Sequence, residues 1–160
     1  MKNLKELYKR IIPPNNYLSR KDFYNDEIID NLDKNSILAI ENMLIEDLKS
    51  NYDILIIETL AYIRSIKSTR VINQKLNEAK SPVDKIIIAW CLYSLGYNKD
   101  LMIGIADENF SLINDDYEKT MVFYYLSKFN DPRLDLILKS YIDHNNILLS
   151  HNSKIALETR

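Results

Sequence analysis

Asp53–Ser65 reads DILIIETLAYIRS, Lys85–Tyr97 reads KIIIAWCLYSLGY and Lys119–Asp131 reads KTMVFYYLSKFND. Set one beneath another, the three stretches share a leucine seven residues in (Leu60, Leu92, Leu126) and a large apolar residue ten in (Ile63, Leu95, Phe129). Eleven residues beyond the leucine stands a β-branched aliphatic each time: Val71, Ile103 and Ile137. A helix that returns about every 33 residues with its apolar positions in place marks stacked helical hairpins. One hairpin leaves its apolar face open, and a neighbouring copy must cover it.

Working outward, the flanking residues supply starts and stops. Ser81-Pro82 places a cap and a first-turn proline in the favoured order, and Gly96 follows the helix as a left-handed terminator. The pattern predicts helices over about 82–95 and 99–110, then 116–129 after Asn114-Asp115-Asp116, and 132–143 after Asn130-Asp131-Pro132. Upstream, helices are expected over about 53–66 and from Thr69 to Lys80. Lys85, Lys119 and Lys154 lie 34 and 35 residues apart, so Ser150–Arg160 reads as the opening of a further copy, inside which the chain stops. Lys21, with Ile28 in the leucine place and Asn31 in the ten-residue place, reads as an atypical first copy. Before it, residues 2–12 read as a helix ended by Pro13-Pro14. Ser19 is the expected cap of a helix from Arg20 to Leu32, and Ser36 the expected cap of one reaching Lys49. In the latter, Ile37, Ile40, Met43, Leu44 and Leu48 form one stripe. The expected fold class is all-α, a right-handed α-solenoid forming a single domain over 1–160.

The units at 81–110 and 115–143 resemble HEAT-like repeats of the short kind found in phycobilisome-lyase-like proteins. The residues that carry this are Lys85, Ala89, Leu92, Leu95-Gly96 and Lys99-Asp100, then Lys119, Leu126, Phe129 and Asn130-Asp131-Pro132. Lysine stands where that pattern has arginine, and Trp90, Phe123 and Tyr124 stand where it has alanines. The resemblance covers about residues 51–160. It implies helical hairpins in a superhelix, with first helices on the convex face and second helices on the concave one. It also implies partner binding along a curved surface. The tetratricopeptide pattern has a similar period, but its Trp, Leu-Gly, Tyr, Ala and Pro spacing is absent.

Composition narrows the chemistry. Two glycines in 160 residues leave no phosphate-cradling loop or dinucleotide motif. A formal charge of −2 gives no general pull toward nucleic acid or anionic lipid. The single cysteine, Cys91, lies within the apolar run 86–95 and reads as a core thiol. No window reaches the roughly 18 apolar residues of a membrane helix, and the charged start does not resemble a secretion signal. A cytoplasmic protein is expected, and the abundance of Lys, Asn and Ile suggests an AT-rich bacterial genome. His144 and His151, the only histidines, lack a third ligand at metal-binding spacing, and no catalytic motif is present. We therefore expect no enzyme activity, metal or cofactor.

What does not repeat carries the functional reading. Tyrosines cluster at Tyr93, Tyr97, Tyr117, Tyr124 and Tyr125 near Trp90 and Phe123, and acids gather at Asp22, Asp26, Glu27, Asp30 and Asp33 and again at Asp107–Glu118. Turn tyrosines offer contact area with a polar handle, and carboxylates steer a basic protein. The candidate binding residues are Tyr97, Asp107, Glu108, Asp115, Asp116, Tyr117 and Glu118. The leading expectation is a non-catalytic protein–protein interaction module with a basic partner, in the manner of a bacterial inhibitor or immunity protein. The alternatives are a nucleic-acid binder of the DNA-glycosylase-like kind, using Arg64, Lys67, Arg70 and Lys75, and a fragment of a larger scaffold.

Overall fold

Side chains that take up first-turn amides set most of the helix starts. The computed structural model describes residues 2–159, in which there are eleven α-helices and no strand. They are α1 (Lys2–Ile11), α2 (Tyr17–Arg20), α3 (Asp26–Asp30), α4 (Lys34–Ser50), α5 (Ile54–Tyr62), α6 (Thr69–Glu78), α7 (Pro82–Ser94), α8 (Lys99–Phe110), α9 (Asp116–Lys128), α10 (Pro132–Ser140) and α11 (Ile147–Glu158). The chain divides inside α6 into two compact units, Met1–Ile72 and Asn73–Arg160.

In the second unit α7 packs against α8 and α9, α9 also against α10 and α11, and α10 against α8 and α11. Ser81 caps α7 and Asp115 caps α9, each eleven residues before the shared leucine. Leu92 and Leu126 are wholly buried, and so is Phe129. α7 is apolar on nearly every side, burying Val83, Ile86, Ile87, Ile88, Ala89, Cys91 and Leu92, as a helix enclosed by neighbours should. Each of its larger aliphatics contributes about 2 kcal/mol by leaving water. Asp131 caps α10, which ends at Ser140 rather than near 143. Asn146 caps α11, so this helix begins at Ile147, three residues before Ser150, where the further copy is expected to open. α11 runs to Glu158, and the Thr159 N–H reaches Ile155 O at 3.0 Å.

In the first unit α1 packs on α3 and α4, and α4 on α5, around Ile11, Ile29, Ile40, Leu44, Leu48, Ile56, Ile57 and Leu60. The single helix expected over 20–32 is replaced by α2 and α3. Asn16, not Ser19, caps α2, and Asp22 turns left-handed at φ 55°. The reason is Asn25, which is 5% exposed and donates to Ile11 O (3.2 Å) and Thr59 Oγ1 (2.8 Å). These remote bonds satisfy a buried amide that a continuous helix would have left elsewhere. Lys21 therefore opens no helical copy. Asp33, not Ser36, caps α4, its carboxylate accepting from both Asn35 N and Ser36 N at 2.9 Å. Arg20 grips Asp53, the cap of α5, through two bonds of 2.6 and 2.7 Å.

The repeat extends to the backbone. Four residues beyond each shared leucine the chain turns left-handed: Arg64 at φ 57°, Gly96 at φ 80° and Asn130 at φ 50°. After the first two, the next amide reaches back to the leucine carbonyl, Ser65 N to Leu60 O and Tyr97 N to Leu92 O. That is the six-to-one bond of a Schellman C-cap. Arg64 explains why α5 stops at Tyr62 instead of running to 66, with a short 3-10 turn, Ile66–Ser68, following. A Cβ on Gly96 would meet nothing within 4 Å. Gly96→Ala should therefore lose only the backbone term, about 1 kcal/mol. Arg64→Gly should gain roughly 0.5 kcal/mol by relieving the same strain. Urea unfolding of the two variants checks the opposite signs.

Protonation supports the caps and ties. Burial and the bond it donates to Asp47 push the Tyr8 hydroxyl well above its usual range. The bond donated to Asp30 pushes Tyr62 up to about 12. In the other direction, the Ser36 amide holds Asp33 low, and the Arg133 side chain holds Asp131 low. A raised tyrosine keeps its proton in the folded chain while the unfolded chain ionises near pH 10, so stability falls as pH rises from about 10 to 12. The depressed aspartates act oppositely, and their contribution fades as pH falls below about 4. Melting temperature against pH should show both limbs. Tyr8→Phe with Tyr62→Phe should flatten only the alkaline one.

Candidate functional site

The seven predicted binding residues fall in three places on the second unit. Tyr97 is half-buried in the α7–α8 turn, held there by its amide bond to Leu92 O. Asp107 and Glu108 are exposed on the last turns of α8, the opposite end of that helix. A helix rises about 1.5 Å per residue, so Tyr97 stands roughly 15 Å from them along the axis. Asp115, Asp116, Tyr117 and Glu118 form the start of α9, joined to the end of α8 by the turn at 111–115.

Two of the three acids at the start of α9 have internal work. Asp115 accepts from Glu118 N at 2.9 Å, and Asp116 accepts from Asn146 Nδ2 at 2.8 Å with Lys119 Nζ at 3.5 Å. The carboxylates of Asp107, Glu108 and Glu118 have no cation within 4.0 Å among the described residues. Asp107 acts at longer range on Arg133, whose proton is held chiefly by Asp131 and also by the charges of Asp100 and Asp107. Tyr117 is 67% exposed and stands next to Glu118 in the chain. The surface thus concentrates on Asp107, Glu108, Tyr117 and Glu118, with Tyr97 apart.

The other acidic cluster divides similarly. Asp33 is a cap and Asp30 accepts from Tyr62, while Asp22, Asp26 and Glu27 line an open cavity of about 480 Å³ with Phe23 and Tyr24. Glu27 also borders a second cavity of about 400 Å³ lined by Leu7, Arg10, Ile28, Asn31 and Leu32.

The aromatic cluster is largely packing. Trp90, Tyr93 and Phe129 meet with ring centres 4.9–5.9 Å apart, and Phe123 stacks between Phe110 and Tyr141. Sequence reasoning passed over Met121, which shares the Tyr117–Tyr124 side of α9. The spacing of four and seven was the available signal.

Of the four cations weighed for nucleic acid, Lys67 pairs with Glu41 at 2.8 Å and Lys75 is 4% exposed against Glu78. That leaves Arg64 and Arg70 exposed. His144 Nδ1 accepts from Asn146 N, and Cys91 is buried. Among the described residues, no group of three His, Cys, Asp or Glu is placed to hold a metal ion, and no helix is long and apolar enough to cross a membrane.

Fold and surface together define the class: an all-helical protein with an acidic, tyrosine-bearing edge on its second unit. Set against protein-family models, curated proteins and solved structures, the chain matches none of them.

Proposed function

We propose that this chain is a non-catalytic protein-binding module that takes a basic partner. The observation that carries the reading is the set of exposed carboxylates Asp107, Glu108 and Glu118, left without cations beside the exposed Tyr117. Carboxylates that the protein does not neutralise itself create a field that steers cations, and a tyrosine supplies contact area at low entropic cost. A cytoplasmic inhibitor or immunity-type role, in which a small acidic protein covers a basic enzyme, is the version this chemistry suits best.

The scaffold in this reading is a right-handed HEAT-like solenoid. In support, the left-handed residue recurs at Arg64, Gly96 and Asn130. Within the second unit the first helices of the hairpins touch one another, α7 with α9 and α9 with α11, while the second helices α8 and α10 do likewise.

The test is affinity capture from the native cells with the wild-type chain and with Asp107→Lys/Glu108→Lys. Both chains should have the same helical content, since neither carboxylate caps a helix or holds a side chain. The wild type should retain one stoichiometric partner of high isoelectric point. Reversing both charges should weaken that complex by about tenfold or more, the effect of roughly 1.4 kcal/mol. Equal retention by the variant, or no stoichiometric partner, would remove the reading.

A further inference from the structure

Two packed helices of the first unit, α1 and α3, leave an open groove between them. On α1, Tyr8 donates to Asp47 and Ile11 is wholly buried, so Leu7 and Arg10, one step round the helix, fall on the adjoining side. On α3, Ile29 is the buried residue. Leu7 and Arg10 line the cavity of about 400 Å³ together with Glu27, Ile28, Asn31 and Leu32. Asn25 ties the two walls to each other, since it opens α3 and donates to Ile11 O at the end of α1. Asn31 Nδ2 donates to Glu27 O at 2.7 Å and closes the turn that leads to Leu32.

The lining divides by chemistry. Leu7, Ile28 and Leu32 are half-buried, so each keeps apolar surface in water. Arg10 and Glu27 are exposed, come from opposite walls and carry opposite charges. Neither has an ion-pair partner within 4.0 Å among the described residues, the other included. Opposite charges that line one cavity without meeting leave both free for a ligand with a positive and a negative end. The three aliphatic side chains call for an apolar body between those ends. The volume exceeds that of one amino acid and suits about two. An extended dipeptide separates its termini by about 7 Å, so ammonium and carboxylate reach different side chains.

We propose that the α1–α3 groove binds a short aliphatic peptide of dipeptide size with both termini free. Its carboxylate meets the Arg10 guanidinium, its ammonium meets the Glu27 carboxylate, and its side chains cover Leu7, Ile28 and Leu32. Charge-assisted bonds fix the two ends, and burial of aliphatic surface favours leucine-like side chains over glycine. The walls are tied together before the ligand arrives, which lowers the ordering cost of binding. The groove belongs to the first unit and does not depend on the basic partner proposed above.

The test is a titration of the full chain, labelled with nitrogen-15, with L-leucyl-L-leucine up to about 10 mM. Amide signals of residues 7–10 and 27–32 should move and saturate. N-acetyl-leucyl-leucine, which lacks the ammonium, and leucyl-leucine amide, which lacks the carboxylate, should each bind about tenfold more weakly. Glycyl-glycine should lose at least about tenfold, and free leucine should also bind more weakly. Arg10→Gln should bind leucyl-leucine no better than the amide, and Glu27→Gln no better than the acetylated form. Neither side chain caps a helix, so both variants should melt within about 2 °C of wild type. No saturable movement at those residues overturns the proposal, and so does binding indifferent to the blocked termini or to both substitutions. Free leucine binding as tightly as the dipeptide overturns the assigned size.

Discussion

Phe129→Ala is expected to destabilise the protein by about 4 kcal/mol, lowering its melting temperature by roughly 8–16 °C. Phe129 is wholly buried at the ten-residue position of the repeat and lies at the C-terminal end of α9. Its ring meets Tyr93 at 4.9 Å and Trp90 at 5.6 Å between centres, so it joins α9 to α7. Its carbonyl also accepts the Tyr93 hydroxyl at 2.8 Å, which keeps that ring oriented toward it. Truncation leaves a void that two half-buried aromatics cannot close without abandoning their own contacts. Tyr124→Ala, on the exposed side of the same helix, should lose less than about 1 kcal/mol. Thermal and urea unfolding of the pair separate the two cases. Equal losses would mean that Phe129 does not anchor the packing of α7 on α9.

Arg20→Ala should remove about 3 kcal/mol from the first unit. Arg20 makes two short bonds to Asp53, and its Nε and Nη2 donate to Pro13 O at 3.2 and 2.9 Å. The side chains are only 18% and 10% exposed. Alanine would strand a buried carboxylate that the Leu55 amide alone still bonds, and the Pro13 carbonyl would lose its donors. Most of the loss is the penalty of an uncompensated charge, so Arg20→Ala with Asp53→Asn should cost clearly less than the two single changes combined. Arg133→Ala is the internal control. Its pair with Asp131 has the arginine 53% exposed, and the loss should stay below about 1 kcal/mol. Urea midpoints for the four variants decide the matter, and an Arg20→Ala loss as small as that of Arg133→Ala would refute the argument.

The parts of the fold that were legible in the sequence rest on local chemistry. Ser81-Pro82, Gly96, Asp115 and Asp131-Pro132 each act within a few residues of themselves, and α7 to α10 start where those signals place them. The failures involve remote partners or competition. Asn25 breaks the expected 20–32 helix through groups 14 and 34 positions away. Asp33 outranks Ser36 because its carboxylate takes two amides at once. Nothing about arginine announces that residue 64 turns left-handed.

The candidate surface was legible as an accumulation of acids but not as a division of labour. Asp116 is committed to Asn146, 30 residues on, and sequence offers no way to see that tie. The outer row Tyr117, Met121 and Tyr124 is made of large side chains with extensive apolar surface, like the buried row Val122, Phe123 and Leu126. Hydrophobic pattern alone therefore could not tell the open side of α9 from the packed one.

The central claim is that function lies on the non-repeating acidic edge between α8 and α9, while the repeated positions serve packing. Hydrogen exchange of the full chain, alone and saturated with its captured partner, tests this most directly. The account predicts slowed exchange for the amides of residues 105–118, where Asp107, Glu108, Tyr117 and Glu118 stand. Unchanged exchange over that stretch, with protection elsewhere in the chain, would contradict it.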